Sequence, residues 1–539
     1  MASRGGTEEA PPPSVIGVAG AGTMGAGIAQ LACLSGARTL LHDPDLEALE
    51  RAAARIEQQL RRGAARGRYT DAEAREASER LRTAPQLEDL GACELVIEAA
   101  PERLEIKREL FGRLSQVVSE ECVLATNTSS LLVTAMAPAA SHPQRVVGMH
   151  FFNPPALMAL LEVVAGIESS PRALAVARAA GAAMGKHVIE AVDGPGFIVN
   201  RCNRPFGLEA LKLLAEQVAE IEQIDQICRL GGGFRMGPFE LMDLVGVDVG
   251  LDVSRSFYEQ SFGEPRWRPS PITVKTVAAG RHGRKTGRGY YEYPESGEYR
   301  PADPDPPPPG DGQGLIVIAG ESQLALELGD AAEDAGWDVV TPSEATDNEA
   351  PFLILDLTNG EEPDSPLQGA PQAICCSGGS LATLDPGGSA VGFHALPPFS
   401  EASLVELARG PDSASSAVGA VEAFFATLGK LTVWVGDAPG LVLGRIVCQV
   451  INEAAFALGE GVGSAEDIDI GMLHGLNYPR GILAWADEIG LDHVLAVLDG
   501  LSMERGEERY RVAPLLRRLG WSGRLGRATG EGIFRYESP

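Results

Sequence analysis

Residues 14–36 read SVIGVAGAGTMGAGIAQLACLSG and decide how the first part of the chain folds. An apolar run of strand length, Val15 to Ala19, comes first, and an Ala- and Leu-rich segment with helical spacing follows from Thr23. Between them, residues 20–25 match G-x-G-x-x-G, whose glycines allow a tight turn, close approach of backbone to a pyrophosphate, and packing of helix on strand. The stretch therefore predicts a strand, a turn and a helix whose N-terminus faces the phosphates of a dinucleotide.

An acidic strand end follows this motif. A second strand-like run, Ala37 to His42, ends at Asp43, about 20 residues beyond the glycines. A carboxylate at this place accepts hydrogen bonds from both hydroxyls of an NAD ribose and repels the 2′-phosphate of NADP. The glycine motif alone is weak evidence, because an accidental glycine-rich turn has the same letters; together with Asp43 it predicts NAD as the cofactor.

Length, charge and cysteine content limit the class of protein. A chain of 539 residues is too long for one core, and about three to four domains are expected. A net charge of −29 argues against nucleic acid as a partner. Eight scattered cysteines without a C-x-x-C pattern favour a reducing compartment, hence a cytoplasmic protein without a structural metal. The first residues lack the apolar core of a signal peptide, and the uncharged run after residue 14 is too glycine-rich to favour a membrane span.

Strand-like and helical segments alternate along the next part of the chain. Predicted helices cover residues 46–68, 70–82 and 104–118, and predicted strands cover residues 94–99 and 122–126. Polar residues, Asn127 to Ser130, follow the last of these strands. This order predicts a doubly wound parallel sheet with a ligand crevice at the carboxyl ends of its strands.

A histidine and a glutamate stand in two apolar runs, twelve residues apart. His150 follows VVGM, and Glu162 lies within LLEVV. A histidine at a strand end is often only a hydrogen-bonded core residue, but a buried carboxylate is costly unless it is paired. A carboxylate bonded to imidazole orients the ring and stabilises its positive form, which suits a base that removes a hydroxyl proton. We therefore predict a His–Glu pair that acts in general-base catalysis.

Six segments in order resemble the 3-hydroxyacyl-CoA dehydrogenase family over residues 14–293: GAGTMGAGIAQ, VIEAAPE, ATNTSSL, VGMHFFNPP, LLEVV and PGFIVNR. The resemblance implies an α/β Rossmann NAD-binding domain followed by an all-α C-terminal domain like that of 6-phosphogluconate dehydrogenase. It also implies NAD-dependent, reversible oxidation of a (3S)-hydroxyacyl-CoA to the 3-oxoacyl-CoA.

The same resemblance implies the roles of individual residues. His150 is the expected base, Glu162 orients it, and Ser129 and Asn200 contact the substrate. The family also places Lys285 near the cofactor, although its basic loop has a solvated tail as its simpler interpretation. The full set of predicted cofactor-binding residues, which includes the glycine motif and Asp43, is Gly20, Gly22, Thr23, Met24, Gly25, Asp43, Glu102, Lys107, Asn127 and Lys285.

A proline-rich linker separates this part from a decayed repeat of it. Residues 301–312 read PADPDPPPPGDG, which predicts a stiff, extended connection. The strand Leu315 to Ala319 then leads into Gly320, but the other two motif glycines are replaced. Glu321 puts a carboxylate where a pyrophosphate would lie, so we predict that this copy binds no dinucleotide.

The catalytic motif also recurs in altered form. His394 and Glu406 are again twelve residues apart. The expected substrate residues are lost, because sequence comparison replaces the asparagine with Gly444 and pairs Ser129 with Gly379. We predict that the second His–Glu pair is a structural remnant. The whole layout resembles the long bacterial form of the family, with a reduced second Rossmann domain and a second helical domain.

The predicted domains are a disordered tail (1–13), an NAD-binding Rossmann domain (14–192), a helical domain (193–300), a linker (301–313), a reduced Rossmann-like domain (314–435) and a second helical domain (436–539). The two helical domains are expected to form an internal pseudo-dimer, with homodimerisation left open and no membrane partner. The pathway stays open between fatty-acid, butanoate and phenylacetate-type aromatic-acid catabolism. Two alternatives remain: an NAD-dependent dehydrogenase of another hydroxy acid, such as a sugar acid, and a non-catalytic acyl-CoA- or NAD-binding protein.

Overall fold

The computed structural model of the chain describes residues 9–345, 350–360 and 370–537, so most of the predicted tail, residues 1–8, lies outside the described residues. The strands are β1 (Val15–Ala19), β2 (Arg38–His42), β3 (Leu81–Ala84), β4 (Leu95–Glu98), β5 (Val123–Thr126), β6 (Val146–Phe151), β7 (Leu160–Ala165), β8 (His187–Val192), β9 (Leu315–Ala319), β10 (Asp338–Val340), β11 (Leu353–Asp356), β12 (Gln372–Cys375), β13 (Val391–His394), β14 (Leu404–Arg409) and β15 (Leu431–Val435).

The α-helices are α1 (Thr23–Leu34), α2 (Leu46–Ala65), α3 (Asp71–Arg80), α4 (Leu104–Val117), α5 (Val133–Met136), α6 (Pro171–Ala183), α7 (Val199–Cys202), α8 (Arg204–Ala215), α9 (Ile221–Leu230), α10 (Pro238–Val245), α11 (Val247–Gln260), α12 (Pro271–Ala278), α13 (Gln323–Asp334), α14 (Leu381–Leu384), α15 (Ser415–Thr427), α16 (Leu443–Gly459), α17 (Ala465–Leu476), α18 (Ile482–Ile489), α19 (Leu491–Arg505) and α20 (Pro514–Trp521).

The described residues group into two compact units. The first contains those within Met1–Arg201 and Gly461–Leu476, and the second contains those within Cys202–Glu460 and Asn477–Pro539. The domain boundaries drawn from the sequence stay predictions; the units are cut differently, because a short segment far beyond the linker belongs to the first unit.

The first unit is built on an eight-stranded sheet of order β3-β2-β1-β4-β5-β6-β7-β8. Neighbouring strands are parallel except β6 and β7, which are antiparallel. Apolar side chains of the strands form one core with α1, α2, α3 and α6. The predicted Rossmann fold class is confirmed.

The predicted helix over residues 70–82 is wrong at its end. Helix α3 stops at Arg80, and Leu81 begins the edge strand β3, which pairs with β2. Local charge pattern favours continued helix, but the unpaired edge of β2 offers backbone hydrogen bonds that decide the conformation.

The antiparallel pair β6–β7 explains the spacing of the predicted catalytic residues. The register places His150 directly opposite Glu162. Directly opposed residues of an antiparallel pair put their side chains on one face at short distance. Twelve residues of sequence are therefore a single cross-strand contact.

The second unit contains a seven-stranded sheet of order β10-β9-β11-β12-β13-β14-β15, in which β13 and β14 are antiparallel. His394 lies opposite Glu406 in this sheet, which repeats the register of the first. Helix α4 has no counterpart among the described residues between β11 and β12. The predicted reduced Rossmann fold and its helical companion are thus confirmed, and in the helical part α8 packs against α16.

No helix within residues 9–345, 350–360 and 370–537 has the length and apolar character needed to cross a membrane.

Candidate active site

The glycine-rich turn has the geometry that a dinucleotide requires. Gly20 has φ of +121°, and a Cβ on it would lie 2.5 Å from the Ala99 carbonyl oxygen. A Cβ on Gly22 would meet no described atom within 4 Å, so the turn is open at this residue. In the described part of the chain α1 receives no side-chain cap at Gly22, which leaves its first N–H groups for an anionic ligand.

Gly25 acts differently from the prediction. A Cβ on this residue would lie 1.8 Å from the Gly20 carbonyl oxygen and 3.5 Å from the Ala99 side chain. The third glycine therefore lets the helix begin against the turn itself, and packing on the strand is a lesser reason. Thr23 opens α1 on the exposed side, while Met24 packs against the core.

Asp43 is fixed beside this turn. Its Oδ2 accepts the N–H of Ala21 at 2.8 Å, and its Oδ1 accepts the N–H of Asp45 at 2.9 Å. Arg55 in α2 donates to the Gly22 carbonyl at 3.1 Å, a contact that the sequence did not reveal. A held carboxylate next to an open, uncapped helix start fits the ribose and pyrophosphate of NAD.

A buried ion pair supports the neighbouring strand ends. Lys107 Nζ lies 2.7 and 2.9 Å from the two carboxylate oxygens of Glu98, and both side chains are fully buried. Glu98 also accepts from Thr126 Oγ1 at 2.6 Å and from the Ala100 N–H at 2.6 Å. Such a pair is tolerated in the interior because its remaining hydrogen-bonding capacity is used.

Glu102 links this ion pair to the loop after β5. It lies 3.3 Å from Lys107 and accepts from Thr128 Oγ1 at 2.6 Å and from the N–H groups of Ser129 and Ser130 at 3.0 and 3.1 Å. Burial acts to raise the pKa of Glu102, but the charge of Lys107 and these hydrogen bonds hold that pKa below its usual value. Lys107 is fully buried and pairs with Glu98 and Glu102, and Glu102 in turn holds the loop that carries Ser129; the expected place of Lys107 at the cofactor stays a prediction.

The predicted base and its partner form a short hydrogen bond. His150 Nδ1 lies 2.6 Å from Glu162 Oε2, and Glu162 is fully buried. The other oxygen, Oε1, accepts the N–H groups of Ile198 and Val199 at 3.0 and 3.1 Å. The carboxylate accepts, so Nδ1 carries the proton and Nε2 is the nitrogen that can accept one. Phe197, whose φ is +51°, turns the chain before these two donors.

The remaining predicted residues of the first unit lie at the same edge. The Asn200 amide donates to the Ser129 carbonyl at 3.5 Å. Asn127 Oδ1 accepts the N–H of Phe151 at 2.9 Å and so ties the end of β5 to the end of β6. The structure brings these residues together; their roles toward substrate and cofactor stay predictions.

Lys285 belongs to the second unit, where its ammonium lies 2.7 Å from Asp248 Oδ2. Its expected contact with the cofactor stays a prediction.

Sequence reasoning missed Glu98, Asp193 and Lys186. Asp193 accepts two N–H groups at the start of α5, and Lys186 donates to two carbonyls between β6 and β7, those of Pro155 and Met158. Glu98 had a usable signal, because it is a carboxylate in an apolar run, as is Glu162. The other two stand in ordinary polar surroundings and gave none.

The second His–Glu position is not a hydrogen-bonded pair, which corrects our prediction. His394 Nε2 lies 3.1 Å from Nε2 of His493, and within the described residues its Nδ1 has no hydrogen-bond partner. Glu406 accepts the N–H groups of Val442 and Leu443, at 2.8 and 3.1 Å, with its two oxygens. The carboxylate kept its contact with the backbone and lost its contact with the imidazole.

The sheet register also corrects the counterpart of Ser129, the predicted substrate serine. In both sheets the glycine two residues before the histidine pairs with the neighbouring strand, at Thr126 in the first and at Ile374 in the second. Ser129 lies three residues beyond the former. Its counterpart is therefore Ser377, and the alignment with Gly379 was wrong.

Comparison with known families agrees with this architecture. The model of the 3-hydroxyacyl-CoA dehydrogenase NAD-binding domain matches residues 15–194. The model of the 3-hydroxyacyl-CoA dehydrogenase C-terminal domain matches twice, at residues 196–293 and 440–536. The duplication of the helical part is thus detected independently of the sheet.

Relatives match either the whole chain or its first half. A 3-hydroxyadipyl-CoA dehydrogenase of Escherichia coli is 36% identical over 93% of this chain and 96% of its own length. A probable 3-hydroxybutyryl-CoA dehydrogenase of Deinococcus radiodurans is 41% identical over 52% of this chain and 99% of its own length. The crystal structure of a 3-hydroxybutyryl-CoA dehydrogenase from Escherichia coli has a TM-score of 0.80 and 34% identity, and covers 95% of this chain and 99% of that one. With its glycine turn, its His–Glu register and both family domains in place, this chain belongs to the 3-hydroxyacyl-CoA dehydrogenase family.

Proposed function

We propose that this chain, an NAD-dependent 3-hydroxyacyl-CoA dehydrogenase, uses His150 as the general base in the reversible oxidation of a (3S)-hydroxyacyl-CoA. The observation that carries the proposal is the 2.6 Å contact between His150 Nδ1 and the buried Glu162 carboxylate. It holds the ring in one orientation with Nε2 as the accepting nitrogen.

This geometry determines where the proton of the substrate hydroxyl goes. His150 Nε2 takes the proton of the 3-hydroxyl as the C3–H bond breaks and the C3–O double bond forms. NAD, when bound, accepts the hydride. Glu162 stabilises the imidazolium, because a carboxylate favours the charged form of its partner. In the reverse direction the protonated ring returns its proton to the 3-oxo oxygen.

Ser129 and Asn200 are the proposed substrate-holding residues. The Ser129 N–H is held by Glu102, and the Asn200 amide reaches the Ser129 carbonyl. Asn200 also directly follows Val199, one of the residues that hold Glu162. A substrate oxygen between a fixed serine and a fixed asparagine would be aligned with the base, which is a large part of catalysis in such sites.

Cofactor binding is assigned to the turn of the first sheet. The uncapped start of α1 at Gly22 would receive the pyrophosphate, and Asp43 would receive the adenosine ribose. Glu102 and Asn127 shape the crevice beside them, and the family resemblance adds Lys285.

The acyl group is proposed to be short, with either a methyl or a carboxylate at its end. The two full-length matches carry different names, 3-hydroxyadipyl-CoA dehydrogenase and 3-hydroxybutyryl-CoA dehydrogenase. Fatty-acid, butanoate and phenylacetate-type catabolism all supply such thioesters. We place the protein in the cytoplasm, since all eight cysteines are buried and none of these described residues forms a disulfide, as is usual in a reducing compartment.

The helical parts are proposed to form an internal pseudo-dimer. Within the second unit, Arg509 pairs with Glu209 of α8 at 2.5 Å, and Arg266 pairs with Glu453 of α16 at 2.6 Å. Each half thus gives an arginine to the central helix of the other. These reciprocal pairs join the two halves within one chain in the way that two subunits would be joined.

A substrate panel tests the proposal. We expect NADH formation with (3S)-hydroxybutyryl-CoA or 3-hydroxyadipyl-CoA, and none with the free hydroxy acids or with sugar acids. Turnover of sugar acids alone would favour the alternative dehydrogenase. No absorbance change with any substrate would favour a binding protein.

A further inference from the structure

Residues 461–476, which we name the return segment, come from far beyond the linker but lie in the first unit. Helix α17 in this segment packs against β7 and β8. The N–H of Val192, at the end of β8, donates to the Val462 carbonyl at 2.8 Å. The return segment therefore contacts the strand beside the one that carries Glu162.

It also contacts the two residues whose N–H groups hold Glu162. A Cβ on Gly463 would lie 2.5 Å from Ile198 Cδ1. A Cβ on Gly471 or on Gly475 would lie 3.1 Å from a Val199 methyl carbon. Gly471 and Gly475 lie inside α17, where glycine is destabilising relative to alanine, so its use there reflects how closely the Val199 side chain approaches the helix backbone.

These contacts reach the predicted base His150 through Glu162. Ile198 and Val199 are fully buried, and their N–H groups bond Glu162 Oε1 while Oε2 bonds His150. Protein interiors are close-packed and Ile198 is fully buried, so a methyl group on residue 463 would push the Ile198 side chain against its other neighbours. A shift passed on to the Ile198 and Val199 N–H groups would change the orientation of the Glu162 carboxylate and, through it, that of the His150 ring.

We infer that the return segment positions the catalytic base: Gly463, Gly471 and Gly475 are positioning residues that hold Ile198 and Val199 in place under Glu162. The inference rests on the proposed role of His150. It means that the second half of the chain, whose own histidine has lost its carboxylate partner, contributes to catalysis in the first.

The substitution Gly463→Ala tests it in the full-length chain. The added methyl group meets Ile198 Cδ1, and we expect kcat to fall roughly tenfold to a hundredfold, the size of effect expected for a misplaced catalytic group. The KM for 3-hydroxybutyryl-CoA and NADH binding measured by fluorescence are expected to stay unchanged. Ile198→Val removes Cδ1, so Gly463→Ala/Ile198→Val is expected to recover most of kcat.

Gly419→Ala is the matched control. Gly419 lies in α15, and a Cβ there would meet no described atom within 4 Å, so this variant is expected to keep the wild-type kcat. Wild-type kcat in Gly463→Ala, or a double variant as slow as the single one, would overturn the inference. If Gly463→Ala does not fold, Gly471→Ala with Val199→Ala as its rescue decides between the same outcomes. Failure of the proposed role of His150 is distinct, because His150→Ala would then keep the wild-type kcat.

Discussion

The two sheets repeat one cross-strand register but make different contacts from it. In the first, Glu162 divides its oxygens between backbone N–H groups and His150. In the second, Glu406 gives both oxygens to the backbone, and His394 turns to His493. The backbone contact of the carboxylate is thus common to both sheets, whereas the contact with the imidazole is made only in the first, where we propose a catalytic base.

Gly444 makes room for the His394 ring in the second sheet. It occupies the position that corresponds to Asn200, the predicted substrate residue, and a Cβ on it would lie 2.2 Å from His394 Cε1. Burial, and then the neighbouring His493, hold the pKa of His394 well below its usual value, and burial raises the pKa of Glu406 to about 8. Both shifts favour the uncharged forms of His394 and Glu406, whereas it is an ionised carboxylate that supports the charged form of a base.

The turns that follow the first strand of each sheet also differ in their contacts. Helix α1 has an open glycine before its first residue, but α13 is capped by Ser322, whose Oγ accepts the Ala325 N–H at 3.3 Å. A serine that caps its own helix satisfies a donor that a phosphate would need. This supports the prediction that the second copy binds no dinucleotide.

Removal of the second half is the most severe test of the comparison. A chain that ends at Pro301 lacks both α16, which packs on α8, and the return segment. We expect loss of activity, with aggregation or new dimers seen by gel filtration. A well-behaved, fully active monomer would contradict the dependence of the first half on the second.

Alanine at the two histidines is expected to separate their roles. His150→Ala should lower kcat by about 10²–10⁴-fold, because it removes the general base, with NAD affinity intact. His394→Ala should leave kcat unchanged. Steady-state kinetics and a cofactor titration measure both, and similar losses in the two variants would show that we divided the roles wrongly.

Cofactor stoichiometry tests the two turns. Calorimetry should give one NAD per chain, and Gly22→Ser should weaken binding roughly tenfold or more, as for a lost hydrogen bond to a charged group. Ser322→Gly should change neither the affinity for NAD nor the number of NAD molecules bound. A second equivalent of NAD bound by the wild-type chain would refute the difference between the copies.

Glu406 also makes the stability of the second sheet depend on pH. Folding raises the pKa of Glu406 from 4.5 to about 8, so the folded state keeps a proton that the unfolded state releases. The stabilisation is complete below about 4.5 and is lost as pH rises through about 8. Glu406→Gln cannot ionise, so its Tm relative to wild type should rise between pH 5 and pH 8. A difference that does not depend on pH would contradict the assigned pKa.

Patterns among residues close in sequence were enough to predict the first sheet, its cofactor and its candidate base. The glycine turn, Asp43, and the apolar runs around His150 and Glu162 predicted the Rossmann sheet, NAD and the candidate base. They could do so because turn chemistry, strand periodicity and the cost of a buried carboxylate act over a few residues.

Only the tertiary structure decided the contacts between distant parts of the chain. Four features join residues that are distant in the chain or override a local preference. They are edge strand β3, the Glu98–Lys107 pair, the contact of His394 with His493, and the packing of the return segment. Such contacts depend on which backbones approach closely enough to exclude a Cβ or to complete a buried hydrogen bond. That is a property of the assembled packing, which no local pattern of residues encodes.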